Sequence, residues 1–314
     1  MTLHLVYRSY RGENLKRRPF YYSKMLALIS FVRAATEVKG AELLFLNDGP
    51  IPDDKLAVMR HYGRVAQIGE EAKGMRASYR AALDLVTTES WTDDDVVCYV
   101  EDDYLFMADA LIALTEAVAG LPEASYFSLY GTLADYDDPL ERIEHAVPRD
   151  WKAQPDRRVG DRVWFNRASI TSTFAARVGI LREDLPIFIQ CIPPFLPRRI
   201  LDHETCLLYQ GFVPFHGREL FFGLPGDFKL GLRGVVRGAV LMPFRIALNF
   251  RAHRQRKPHL LYTVTPNLVT HMEHPVISPD RDWVAVAEEV AQWAEDNRMD
   301  APSSAIRKRL SRVT

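Results

Sequence analysis

The sequence predicts an α/β protein with a mixed, mainly parallel sheet flanked by helices. Three observations carry this. Short apolar runs at residues 42–46, 64–68 and 96–100 alternate with stretches whose apolar residues recur at helical spacing. The run Val96-Val97-Cys98-Tyr99-Val100 is apolar at every position, as expected of a strand with helices on both faces. A chain of 314 residues, 47% hydrophobic and 26% charged, is long and apolar enough to bury a substantial core.

The elements follow in order. Residues 3–7 read as a first strand, broken at Arg11-Gly12-Glu13-Asn14 before a basic cluster, Lys16-Arg17-Arg18-Pro19. Met25, Leu26, Leu28, Ile29 and Val32 place a helix within residues 21–36. The strand at 42–46 ends on Asn47-Asp48-Gly49-Pro50, a turn signal. A helix at 53–62, a strand at 64–68, a helix at 74–86, the strand at 96–100, a helix at 108–119 and a strand at 125–130 complete the alternation, which favours parallel pairing. Residues 136–160, charged and proline-containing, read as a long loop or lid. Residues 163–174 suggest one or two strands and 201–209 a helix. A final amphipathic helix at 282–297 puts Trp283, Val286, Val290 and Trp293 on one face.

Bulk properties exclude several classes. The formal net charge is -1, so no global field favours nucleic acid, and none is expected as a partner. Three cysteines without a CxxC pair give neither a disulfide framework nor a zinc signature. Cys98, inside an apolar run, reads as a buried free thiol, which favours a reducing compartment. No secretory leader and no run of 18 uncharged apolar residues is evident. The expected location is therefore cytoplasmic.

The chemistry concentrates where strand 96–100 ends, on Glu101-Asp102-Asp103. Ligands of open α/β sheets bind beyond the carboxyl ends of the strands. Adjacent carboxylates repel and resist desolvation unless a cation shares the space, and Mg²⁺ or Mn²⁺ prefers such oxygen ligands. The structural alternative is helix capping, with Asp103 serving the helix at 108–119 if that helix starts early. Asp202-His203-Glu204 heads the 201–209 helix, where an acid is also an ordinary N-cap. His203, between two acids, is a minor candidate as proton carrier. His271 and His274, three apart, could ligate a metal or could be solvated. Arg8, Arg11, Lys16, Arg76 and Arg80 are candidates to meet a diphosphate, with Arg8 the best single choice; for Lys16, Arg17 and Arg18 a solvated role is favoured.

Taken in order, the strand ending in "LNDG", the "GMRASYRAAL" helix and "DDDVVCYVEDDYLF" resemble the nucleotide-sugar half of GT-A glycosyltransferases of the family-2-like kind. The resemblance covers residues 3–110 well and 163–210 more weakly. It implies a GT-A-like catalytic domain at 1–215, with a donor half at 1–110 and an acceptor half at 111–215. The segment 261–314 would complete that domain. Glu101-x-Asp103 has the spacing of the family's DxD motif, though Glu replaces the first Asp. By resemblance Asp103 holds a divalent metal, and Glu101 or Asp102 contacts ribose or a second metal position. Asp48 meets the nucleobase. Asp202, or as second choice Glu204, is the base of an inverting reaction. His271 or His274 reaches the metal or the diphosphate. The implied activity is metal-dependent transfer from a nucleotide-sugar donor to a glycan or lipid-linked acceptor hydroxyl.

Residues 228–257 contain no Asp or Glu and interleave Lys229, Arg233, Arg237, Arg245, Arg251, Arg254, Arg256 and Lys257 with apolar side chains. Within an insertion at 216–260, Pro243 and several glycines suggest two short helices. Basic-plus-apolar composition fits a peripheral contact with the anionic inner face of a membrane; core helices with solvated arginines, or an oligomer contact, fit as well. Two rival functions stay open. A sugar-nucleotide nucleotidyltransferase is disfavoured by the single glycine in the 8–19 loop, and a non-catalytic membrane-surface binding protein is distinguished by substitution at Asp103 or Asp202.

Overall fold

The computed structural model describes residues 1–13, 16–131, 151–196, 200–223 and 231–311. The part of the expected 136–160 loop before residue 151 and Lys229 lie outside these. The first half builds β1 (Leu3–Tyr10), α1 (Lys24–Thr36), β2 (Glu42–Asp48), α2 (Asp53–Tyr62), β3 (Arg64–Gln67) and α3 (Met75–Thr88). Then come β4 (Val96–Glu101), β5 (Tyr104–Phe106), α4 (Ala110–Gly120) and β6 (Ala124–Ser128). The second half adds β7 (Arg157–Val159), β8 (Arg162–Asn166), β9 (Phe174–Arg177), α5 (Val178–Gln190), α6 (Asp202–Tyr209) and α7 (Arg218–Phe222). It closes with α8 (Leu232–Arg254), β10 (Leu260–Thr265), β11 (Val269–His271), α9 (Trp283–Asp296) and α10 (Asp300–Leu310).

Among the described residues nine strands form one sheet in the order β3-β2-β1-β4-β9-β6-β10-β8-β7. The β3-β2-β1-β4 block is parallel throughout. β9 runs antiparallel between β4 and β6, and β10 returns parallel to β6. Two cores follow from side-chain alternation. Leu5, Tyr7, Cys98 and Val100 face α1, α4 and α9; Val6, Val97 and Tyr99 face α3, α5 and α6. This two-sided burial is why β4 is apolar without a break. All three cysteines are buried free thiols.

β4 leaves the main sheet at Glu101, and after two residues the chain enters a small antiparallel ribbon, β5–β11, with His271 opposite Tyr104. The three acids thus sit at the corner where the chain changes sheets. The helix after them starts at Ala110, with Asp109 before it. Asp103 is therefore not its cap.

Two expectations are corrected. The basic segment forms one helix, α8, running through Pro243. Pro243 is exposed, so the carbonyl freed by its missing N–H can face water, which lowers the cost of proline in a helix interior. A further helix, α10, follows the one expected as last.

Candidate active site

The three acids fan out in three directions, each to its own cation. Glu101 accepts from Arg8 (2.9 Å), which is buried and lies 5.0 Å over the Tyr79 ring. Asp102 accepts from Lys24 Nζ (2.8 Å) and from the backbone N–H of Tyr10 (2.9 Å). Asp103 Oδ2 accepts from Arg18 (3.0 Å) and lies 3.0 Å from His271 Nε2. Pairing relieves the repulsion that a bare Glu-Asp-Asp would suffer. It does so unequally. Burial lifts Asp102 to about 6 despite Lys24, with Asp103 adding to the rise. Burial also works against the Asp103 carboxylate, but the His271 hydrogen bond and charge, with Arg18, hold it below the usual carboxylate range.

Around Asp103 further charge comes from the end of β11 and the residues just after it. His271 stacks on Tyr104 (4.8 Å, 4° between planes), and the Met272 N–H donates to the Asp103 carbonyl. Glu273 Oε2 lies 3.3 Å from His271 Nε2 and accepts from Lys16. Asp103, His271 and Glu273 each offer one ligand atom, all within 4.8 Å of one another. Two oxygens and an imidazole nitrogen are a donor set suited to Mn²⁺ or Mg²⁺. Ligands about 2.1 Å from an octahedral ion lie about 3.0 Å apart at right angles, close to the 3.0 and 3.3 Å separations here. The residues fit such an ion, provided Arg18 and Lys16 turn aside from the carboxylates they now hold. His274 stands apart: it is exposed, and its N–H donates to the Arg17 carbonyl.

A cavity of about 480 Å³ joins this cluster to the start of α6. His271 and Glu273 border it on one side, Asp202 and His203 on another, with Tyr130, Trp151 and Phe165 among its walls. Asp202 is the first residue of α6, not its N-cap, and its carboxylate accepts from the Ser172 hydroxyl at 3.2 and 3.3 Å. Burial pushes its pKa up to about 7, and the Glu101 carboxylate adds to this against Ser172 and Arg8. Glu204 is buried on the same helix and is not among the residues lining the cavity.

The segment before β9 ties the parts together. Thr171 shares a hydrogen bond with the Tyr104 hydroxyl (2.8 Å), Ser172 holds Asp202, and the Thr173 hydroxyl accepts from the Glu101 N–H (3.2 Å). Sequence reasoning missed these hydroxyls, as it missed Glu273 and the inward role of Arg18. Arg18 is corrected from a solvated residue to a partner of Asp103, whereas Lys16 stays exposed while pairing with Glu273. The Arg18 guanidinium also lies 4.4 Å from the Tyr22 ring centroid, so its burial is offset by a carboxylate and an aromatic face.

The remaining candidates lie outside this cavity. Asp48 is buried, and its two oxygens accept from the Lys73 and Gly74 N–H groups at 2.6 and 2.8 Å, closing the loop onto α3. Gly49 permits that closure: its φ is +80°, and a Cβ would lie 2.8 Å from the Ala72 nitrogen. Arg76 donates to the Ile192 and Pro193 carbonyls, and Arg80 pairs with Asp84 at an exposed i,i+4 position. Both border a separate, open cavity of about 760 Å³ at the start of α3.

No family model and no curated protein matches the sequence. Among solved structures, the chain is similar to S. aureus TarS 1-349, with 12% identity over 93% of this chain and 64% of that one and a TM-score of 0.42. It is also similar to the galactosyltransferase LgtC in complex with donor and acceptor sugar analogues (14% identity, 92% and 95% covered, TM-score 0.44). A third likeness is to M. tuberculosis glucosyl-3-phosphoglycerate synthase (12% identity, 57% and 58% covered, TM-score 0.37). The chain spans less than two thirds of that TarS structure.

Proposed function

We propose that the protein is a glycosyltransferase that moves a sugar from a nucleoside diphosphate to an acceptor hydroxyl with inversion. One observation carries the reading: a single cavity is lined by Asp202 on one side and by His271 and Glu273, which cluster with the buried Asp103 behind them, on another. Such an arrangement separates a proton acceptor from a place for departing charge. Asp202, with its pKa near 7, is matched to removing a proton from a hydroxyl near neutrality. The acceptor oxygen bonds to the anomeric carbon as the bond from that carbon to the diphosphate oxygen breaks, and the proton passes to Asp202. Attack from the face opposite the leaving group gives inversion.

Arg18 and Lys16 supply positive charge beside the same cluster and can turn from their carboxylates to phosphate oxygens. Asp103, His271 and Glu273 would hold Mn²⁺ or Mg²⁺, which when bound supplies Lewis-acid stabilisation to the departing diphosphate. The aromatic walls exclude water that would compete with the acceptor. In this reading residues 1–215 and 261–314 make up the catalytic unit, with β10 lying inside the main sheet.

A thermal-shift panel of nucleoside diphosphates with and without Mn²⁺ tests the reading, since ligand binding to the native state raises Tm by mass action. We expect one diphosphate to raise Tm more with Mn²⁺ than without. That increment is lost in Glu273→Gln and kept in Asp202→Asn. No shift with any diphosphate, with or without metal, overturns the reading.

A further inference from the structure

Among the described residues no helix is long and apolar enough to cross a membrane, yet α8 carries a row of exposed apolar side chains. Its inner face is fixed. Gly234, Gly238, Arg245, Leu248 and Ala252 are buried, and Leu248 and Ala252 join the core that holds Tyr209 and Phe215. A Cβ at Gly238 would lie 2.7 Å from the Phe222 carbonyl oxygen, so glycine lets α7 pack directly against α8. Arg245 donates inward to the Gly238 carbonyl, and Asn249 exchanges both of its amide bonds with the Phe215 backbone. The helix cannot roll to hide its other side.

That other side is apolar. At about 100° per residue, Leu232, Val235, Val236, Val240, Ile246 and Phe250 fall within one arc of roughly 140°, opposite the buried residues. Leu232 is 81% exposed, Val240 71% and Phe250 55%. Phe221 and Phe222 of the neighbouring α7 are exposed as well. The charged side chains that α8 itself sets beside this strip are all basic. Arg233, Arg237 and Arg251 line one flank, and Arg254 lies 4.2 Å over the Phe250 ring. Among the described residues none of these four arginines is in an ion pair, and residues 228–257 contain no acid.

We propose that α8 is an interfacial docking helix that seats the protein on an anionic lipid bilayer. The occupant follows from charge and shape. Apolar side chains such as Val240 and Phe250 can enter the acyl boundary while flanking arginines meet lipid phosphates. A second copy of the chain offers the same strip no counter-charge: pairing α8 with itself sets arginine against arginine. α8 packs beside α6, whose first residue is Asp202. Docking therefore holds the cavity near a membrane-borne acceptor. That consequence rests on the transferase reading, whereas lipid binding does not.

Co-sedimentation with phosphatidylcholine vesicles, with and without phosphatidylglycerol, at low and high salt, tests the docking. The wild-type protein should sediment with the anionic vesicles at low salt and be released by high salt. The Val240→Asp, Phe250→Asp variant should bind at least ten-fold more weakly while keeping its near-UV circular dichroism, since both side chains are exposed. Arg233→Ala combined with Arg237→Ala and Arg251→Ala should lose roughly ten-fold or more and with it the preference for anionic lipid. Asp202→Asn should bind like the wild type, which separates failure of the docking from failure of the catalytic reading. The proposal is overturned by absence of binding at low salt or by equal binding of the Val240→Asp, Phe250→Asp variant. A dimer that this variant dissociates, with no vesicle binding, overturns it in favour of self-association.

Discussion

Asp103 and Asp202 belong to the same proposed site, Asp103 buried and Asp202 half-buried, but their surroundings drive them in opposite directions. Asp103 ends at Arg18 and His271 and is held ionised. Among the described residues Asp202 is hydrogen-bonded by a serine hydroxyl, and burial together with the Glu101 charge lifts it to about 7. The difference shows how one side-chain type serves two chemical needs. A carboxylate beside departing charge must stay ionised to grip cations, whereas one that accepts a proton must be willing to take it. Neither state is a property of aspartate; each is set by what the fold places within a few ångströms.

The comparison can be broken first at Asp202. Asp202→Asn keeps the shape and removes the proton acceptor, and kcat for transfer should fall on the order of 10²–10⁴-fold. In the wild type, kcat/KM should rise with pH about ten-fold per unit up to about 7 and then level, because only the ionised base works; the Asn variant should lose this limb. Steady-state rates across pH check both. Next is the ligand set around Asp103. His271→Ala or Glu273→Gln should weaken Mn²⁺ binding about ten- to a hundred-fold, a range typical even of outer-shell partners, as read by titration calorimetry. Arg18→Ala should leave Asp103 short of a counter-charge and, if Arg18 holds donor phosphate as proposed, raise KM for the donor more than it lowers kcat. The smallest effect is expected at His274, which is exposed and apart from the cluster: His274→Ala should leave Mn²⁺ affinity unchanged within about two-fold.

Much of the first half could be read from sequence because its information is local. The strand ending in Leu46-Asn47-Asp48-Gly49, the 53–62 helix and the unbroken apolar β4 follow from periodicity and turn chemistry within a few residues. Asp103, His271 and Asp202 were legible as candidates from their place at element ends. What escaped was non-local. Asp103 and His271 are 168 positions apart and meet only because the β5–β11 ribbon sets Tyr104 opposite His271. Nothing near Lys16 or Arg18 announces a partner at Glu273 or Asp103, so a basic cluster looks solvated. The hydroxyls of Thr171, Ser172 and Thr173 carry no motif, and their role comes from a turn that touches three elements at once. Pro243 misled for a related reason: proline argues against a helix only until tertiary packing holds the two halves in line.

Chemical denaturation of the wild type, Asp202→Asn and Asp103→Asn at pH 8 and again near pH 4 tests the electrostatic contrast most directly. The folded pKa of Asp202 is raised, so the native state binds the extra proton and stability is lost as pH rises from about 4 to about 7. Asp202→Asn removes that penalty and should be more stable than the wild type at pH 8 by a few kcal/mol, on the order given by the shift, with the gain gone near pH 4. Asp103→Asn removes a carboxylate whose pKa is depressed and strands Arg18, so it should be less stable by roughly 3 kcal/mol. Opposite signs are the predicted result. Destabilisation by both substitutions, or a gain in Asp202→Asn that does not depend on pH, would contradict the account.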